Sequence, residues 1–308
     1  MSELTIVVYH YVRPIVGSKF PGIKGLEIED FKRQLDYLNR HFNIVTTKQV
    51  VNACMNGSKL PNNACWLTFD DGYKDHYKFV LPELLGRNLH GAFFPPRVAI
   101  EKNVILDVNS IHHILSCADD PQKLVCKLND LCLLNGIPDE SLTSFFREYG
   151  AANRFDNADV IYVKRMLQHV LPEEIRHSVT AQLFKDYVGI SEPDFSRELY
   201  MSKDEVREIV KCGMYVGSHG SMHYWLDKIS PEQQEQDIVE SLAFLEDVGA
   251  PTKDWVMCYP YGAYNDDTLA ILQKYGAAVG ITTEVHKAQI FNNNPLTLPR
   301  LDTNDFPQ

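Results

Sequence analysis

The chain has no paired-cysteine motif, no basic run, no long apolar stretch and no glycine-rich dinucleotide fingerprint. Each of these absences removes a class of function. Its seven cysteines (Cys54, Cys65, Cys117, Cys126, Cys132, Cys212 and Cys258) are scattered, without a C-x-x-C pair. An odd, irregular set of this kind reads as reduced thiols rather than a disulfide framework. The formal net charge of -11, with no basic run to offset it, argues against a nucleic-acid partner. No segment approaches the roughly 20 apolar residues of a membrane span. The opening MSELTIVVYHYVRP places Glu3 where a secretion signal carries its basic region, and its apolar run is short. The expected setting is therefore the cytoplasm, with no membrane span. There is no internal repeat, low-complexity tract or flexible linker to suggest an array.

What is present is a rhythm. Short apolar runs at 4–9, 65–69, 91–94, 214–217, 255–258 and 278–282 read as buried strands. Helical patterns separate them at 29–40, 76–85 (interrupted by Pro82), 203–211, 231–248 and 266–275. Strand and helix in alternation imply parallel pairing through crossover helices. The expected fold class is α/β: a (β/α) barrel, distorted, with about seven strands, formed by residues 1–308 as a single domain. Residues 104–199 break the rhythm, read as helical throughout, and are expected to be an insertion within that barrel. Such an insertion can shape substrate access, pack passively, or join copies of the chain into a homo-oligomer. His112, His113, His169 and His177 lie inside it and receive no role.

Three clusters carry chemistry. Asp70 and Asp71 close a buried strand in the segment Thr68-Phe69-Asp70-Asp71-Gly72. Two adjacent buried carboxylates resist joint ionisation unless a cation compensates, although Asp-Asp-Gly alone is more often a plain turn. His219 and His223, in Gly217-Ser218-His219-Gly220-Ser221-Met222-His223, stand four apart, so a helical turn would put them on one face. One carboxylate with two imidazoles suits a catalytic divalent ion with open positions. Gly220 stands where a zincin needs its glutamate, which excludes that chemistry. The third cluster, Tyr259-Pro260-Tyr261-Gly262, is a turn that can aim a backbone N–H into a site.

In this order the three resemble the motifs of the NodB-homology polysaccharide deacetylases, carbohydrate esterase family 4. The family's T-F-D-D-G is matched throughout by Thr68 to Gly72. Its H-[S/T]-x-x-H is matched at both histidines, with Gly220 in place of the hydroxyl residue. Its R-x-P-Y-G is matched by Pro260, Tyr261 and Gly262, with Cys258 in place of the arginine. The resemblance covers the chain except the helical insertion. It implies that Asp71, His219 and His223 hold a divalent metal ion, zinc first among the choices. It further implies that Asp70 is the general base for the attacking water and that the backbone N–H of Tyr261 stabilises the oxyanion. The late L-x-H motif is absent, but Tyr9-His10-Tyr11-Val12 is similar to the Y-H-x-V opening of exopolysaccharide deacetylases whose motif order is permuted. First and last strands of a closed barrel are neighbours, so His10 is the candidate general acid, with His286 as fallback. Arg300, in Leu298-Pro299-Arg300-Leu301-Asp302, is the candidate replacement for the missing arginine, and Asp302 is a candidate to orient His10 or Arg300.

The function that follows is removal of an N-acetyl or other short N-acyl group from an amino sugar, on a sugar-linked intermediate of surface-polysaccharide biosynthesis. Within hydrolases the alternative is an O-deacetylase or a non-sugar amidase. From another class, the alternative is a non-catalytic carbohydrate-binding or scaffold protein with a degenerate site, which would have no need of stoichiometric metal.

Overall fold

The structure is a computed structural model, and it describes residues 3–152 and 156–307. The chain divides into two compact units. The first comprises Met1–Arg13, Gly25–Val104 and Ser196–Gln308; the second comprises Pro14–Lys24 and Ile105–Phe195.

The first unit contains every described strand: β1 (Glu3–Tyr9), β2 (Asn43–Ile44), β3 (Ala64–Asp70), β4 (Gly91–Phe94), β5 (Tyr215–Val216), β6 (Trp255–Cys258), β7 (Ala277–Ile281), β8 (Ala288–Gln289) and β9 (Leu301–Asp302). Parallel pairing runs from β9 to β1, β3, β4 and β5. A Ser218–Met257 bridge carries it to β6, which pairs with β7, and an Ile281–Leu298 bridge returns it to the segment leading into β9. The result is the expected distorted (β/α) barrel. Strands β2 and β8 are short additions beside β3 and β1 that the apolar pattern did not announce. With two residues each, neither has enough alternation to be read.

Alternation decides what faces inward. Leu4 and Ile6 of β1, Ala64 and Trp66 of β3, Ala92 and Phe94 of β4, and Val256 and Cys258 of β6 share one apolar cluster within the ring. The intervening Val7, Tyr9, Cys65, Leu67, Phe69 and Phe93 pack instead with helix residues such as Phe31, Leu35 and Leu38. Two-residue periodicity then carries Thr68 and Asp70 to the inward face, at the C-terminal end of β3. Helix starts follow their local chemistry. Ser202 with Glu205, Ser230 with Gln233, and Asn265 with Thr268 form reciprocal capping boxes at three of them. The interruption at Pro82 appears as a π-helical turn, His76–Val80, before the helix Leu81–Gly86. Proline has no N–H to bond the carbonyl of Lys78, so the helical register slips there.

The second unit is helical among its described residues, with helices such as Asp107–Cys117, Pro121–Leu134 and Glu173–Tyr187. Leu124, Leu128, Tyr162, Val179 and Leu183 are fully buried within it. His113 is a core residue there, its ring against Phe20 and Phe195 and its Nδ1 2.8 Å from the carbonyl of Asn109. Among the described residues no helix is long and apolar enough to cross a membrane.

Candidate active site

Strand β3 ends in Asp70, and the next two residues are both left-handed, Asp71 at φ 69° and Gly72 at φ 70°. A Cβ on residue 72 would lie 2.8 Å from the Pro95 side chain, so only glycine fits. A non-glycine residue at positive φ costs of order 1 kcal/mol or more, strain that collects at functional sites. Here it turns the Asp71 carboxylate toward the loop after β5 while Asp70 stays on the inward face.

That loop carries the two histidines, and it is not the helical turn their spacing suggested. Residues 219–225 have no regular structure, with Gly220 at φ 71° and His223 at φ 59°. The loop is held from behind by Asp237, whose carboxylate accepts the N–H of Ser221 at 2.9 Å and of Met222 at 2.7 Å. Gly220 leaves room for this, because a Cβ there would sit 2.7 Å from Asp237 Oδ2. The rings of His219 and His223 meet at 4.9 Å.

Asp71, His219 and His223 converge. The Nε2 atoms of His219 and His223 lie 3.3 and 3.5 Å from Asp71 Oδ1. Asp71 Oδ2 accepts the hydroxyl of Tyr73 at 2.5 Å, a contact the motifs did not point to. His219 donates from Nδ1 to the carbonyl of Cys258 at 2.7 Å, which turns Nε2 toward Asp71. Burial raises the Asp71 carboxyl, but the hydrogen bonds from His219 and His223 outweigh it and hold the group well below 3.8. For His219, burial favours the neutral ring; the interactions with Cys258 and Asp71 prevail and raise it well above 6.5. One carboxylate oxygen and two imidazole nitrogens within 4.8 Å of one another are a donor set that fits a divalent ion of the zinc type.

Asp70 has a different partner. The guanidinium of Arg300 donates from Nη1 to Oδ1 at 3.0 Å and pairs through Nη2 with Oδ2 at 2.8 Å, both side chains being 2% exposed. Arg300 is itself fixed by donating from Nε to the carbonyl of Thr282 at 2.8 Å and from Nη1 to Thr68 Oγ1 at 3.3 Å. Burial raises the Asp70 carboxyl; the Arg300 charge and then His219 and His10 more than reverse this, leaving it below 3.8. His10, just past β1 and 47% exposed, brings Nε2 to 4.0 Å from Asp70 Oδ2. The thiol of Cys258, where the motif arginine would stand, lies in the same group with Asp70 and His219.

Tyr261 occupies the turn after β6, at φ 59° and ψ 5°. Gly262 follows at φ 72°, where a Cβ would strike Thr283. The Tyr261 ring stacks on Trp225 at 4.3 Å and meets the edge of His223 at 4.7 Å. Trp225 had no motif to mark it. Two expectations are corrected. His286 is exposed beside Lys287, which pairs with Glu3 at the opposite end of β1 from His10, so it does not reach Asp70. Asp302 orients neither His10 nor Arg300. Its carboxylate accepts the N–H of Asn304 at 2.8 Å and caps the final turn, Thr303–Asp305.

The family model for polysaccharide deacetylases matches residues 160–280. That stretch contains His219, His223 and the Pro260–Gly262 turn, and leaves Asp70 and Asp71 outside it. The family resemblance is borne out. The chain is 27% identical over 85 residues to YxkH of Bacillus subtilis (strain 168), whose name places it among the polysaccharide deacetylases. That match covers 28% of this chain and 30% of the relative's length. Among solved structures, the Streptococcus pyogenes deacetylase PplD in complex with acetate aligns over 97% of this chain and 92% of its own, at 17% identity and TM-score 0.58. IcaB from Ammonifex degensii aligns over 98% and 92%, at 19% identity and TM-score 0.56. A de-N-acetylase from Aggregatibacter actinomycetemcomitans aligns over 97% and 94%, at 17% identity and TM-score 0.56. At these identities the likeness is one of fold.

Proposed function

We propose that this chain is a metal-dependent hydrolase that removes an N-acetyl, or other short N-acyl, group from an amino sugar. The observation that carries the reading is the meeting of Asp71, His219 and His223 beside an Asp70 clamped by Arg300. Asp71, His219 and His223 would hold the ion, zinc first among the divalent choices. Such an ion supplies Lewis-acid polarisation of the acyl carbonyl and acidifies water near neutral pH.

The remaining work falls to the protein's own groups. Asp70, kept ionised by Arg300, takes a proton from the water that attacks the acyl carbon. The backbone N–H of Tyr261 donates to the oxyanion that develops on the carbonyl oxygen. His10 gives a proton to the departing amine as the carbon–nitrogen bond breaks, and the products are acetate and a free amino sugar. Base and acid occupy one space, since His10 Nε2 and Asp70 Oδ2 are 4.0 Å apart. The seven cysteines are all free thiols. Free thiols suit the reducing cytoplasm proposed here, where the substrate would be a nucleotide- or lipid-linked intermediate of surface-polysaccharide synthesis.

The test is acetate release from a panel of N-acetylated and O-acetylated sugars, with stoichiometric metal analysis of the same preparation. Asp70→Asn should lower turnover by about 10²- to 10⁴-fold. An Asp70→Asn protein as active as wild type would end this mechanism, and preference for the O-acetyl esters would reassign the bond.

A further inference from the structure

Just beyond the two aspartates, on the same turn, Asp75 and His76 grip the segment that carries His10. His76 is fully buried, and its Nε2 lies 2.9 Å from the carbonyl oxygen of His10. A carbonyl only accepts, so the ring donates there, and Nδ1 is left as an acceptor. That Nδ1 has no hydrogen-bond partner. The ring is enclosed by Phe69, Tyr73 and Phe93, with centroids at 5.6, 5.5 and 5.9 Å. A buried acceptor without a donor is destabilising, and an aromatic cage of this kind would take phenylalanine without that cost. What histidine adds over phenylalanine here is its hydrogen bond to the His10 carbonyl.

The neighbouring contacts point the same way. The Asp75 carboxylate, also buried, accepts Arg13 Nε at 2.6 Å and the backbone N–H of Val12. Between them, the Tyr11 ring stacks on Tyr73 at 4.2 Å. Each residue from His10 to Arg13 is therefore tied to the turn that follows Asp71. We propose that Asp75 and His76 are positioning residues for His10. They fix the backbone leaving β1, so that a half-exposed ring stays aimed at Asp70 while its own side chain has little to hold it. This rests on the reading of His10 as the general acid.

The test compares kcat on the best N-acetylated sugar of the panel with kcat on 4-nitrophenyl acetate, whose leaving group needs no proton. His76→Phe should lower kcat on the sugar on the order of 10-fold, with KM and bound metal unchanged and the ester rate kept. In a His10→Ala background it should cost nothing further, because it acts through a group already removed. His76→Gln, which keeps a donor, should recover most of the rate. Equal loss on both substrates, loss that persists without His10, or no loss at all would overturn the proposal. Arg13→Gln, which frees Asp75 from a partly exposed position, gives the same comparison if His76→Phe does not fold. Wild-type turnover in His10→Ala would instead remove the acid assignment itself, a separate result.

Discussion

At the scale of single residues, the Asp70–Arg300 pair shows what a missing motif residue demands. Cys258 stands in the motif position, yet a guanidinium still faces the carboxylate, supplied by the approach to another strand. Removing one member of a buried pair leaves the other charge without compensation, typically at 3–5 kcal/mol. Arg300→Ala should therefore both destabilise the fold and abolish turnover, read by thermal melting and by acetate release. Arg300→Lys should rescue little, since a point charge cannot serve both oxygens of Asp70 and the Thr282 carbonyl together. Tyr73→Phe tests the other aspartate. Losing the hydroxyl that holds Asp71 Oδ2 should weaken metal affinity by about 10- to 100-fold with little change in the fold. Competition with a chromophoric chelator would measure it, and unchanged affinity would place the phenol outside the ligand's support.

At the scale of elements, β1, β3, β4, β5, β6 and β7 were legible because each lies in a short apolar run bounded by polar turns, whereas the two-residue β2 and β8 were not. The crossover helices were legible from periodicity. The geometry of the residue 217–223 loop was not. A four-residue histidine spacing fits a helical turn, but two left-handed residues override it, and the reason lies in Asp237, 16 positions from Ser221. Spacing alone could not reveal a tertiary acceptor. Arg300 was legible only as a candidate, and Tyr73 and Trp225 not at all, for the same reason: their partners are brought by folding. The loop also makes an inverted prediction. Gly220→Ser restores the hydroxyl residue of the family pattern, yet it should lower the melting temperature and loosen metal binding. Its Cβ would press on Asp237 at 2.7 Å and its φ is positive, a strain of about 1 kcal/mol or more. A variant as stable as wild type would show that the loop can repack.

At the scale of the whole molecule, proton and metal compete for one set of atoms. His219 is raised well above its usual 6.5, so in the metal-free protein its proton stabilises the fold at and below that pH, and the contribution fades as pH climbs through the raised value. Asp70 and Asp71 are depressed, so their contributions are present above 3.8 and are lost as pH falls through their lowered values. Metal must displace the His219 proton. Binding should accordingly release protons and tighten as pH rises from 6 toward 8, visible in calorimetry as an enthalpy that changes with the buffer. At 100 times its dissociation constant the ion should add about 2.7 kcal/mol to stability, and a chelator should remove it. A melting temperature indifferent to both would argue against a metal centre.

The pairing of β9 with β1 has a consequence in time as well as in space. Asp70 and its arginine are 230 positions apart, and Leu301 seals the ring against Val7. On a ribosome, the candidate acid His10, both aspartates and both histidines emerge before Leu301, while one edge of β1 lacks its partner. Until the closing segment arrives, the Asp70 carboxylate lacks the guanidinium, the largest of the charges that hold it below 3.8. The paired, ionised base can therefore form only after the segment that carries Arg300 and Leu301 has been made.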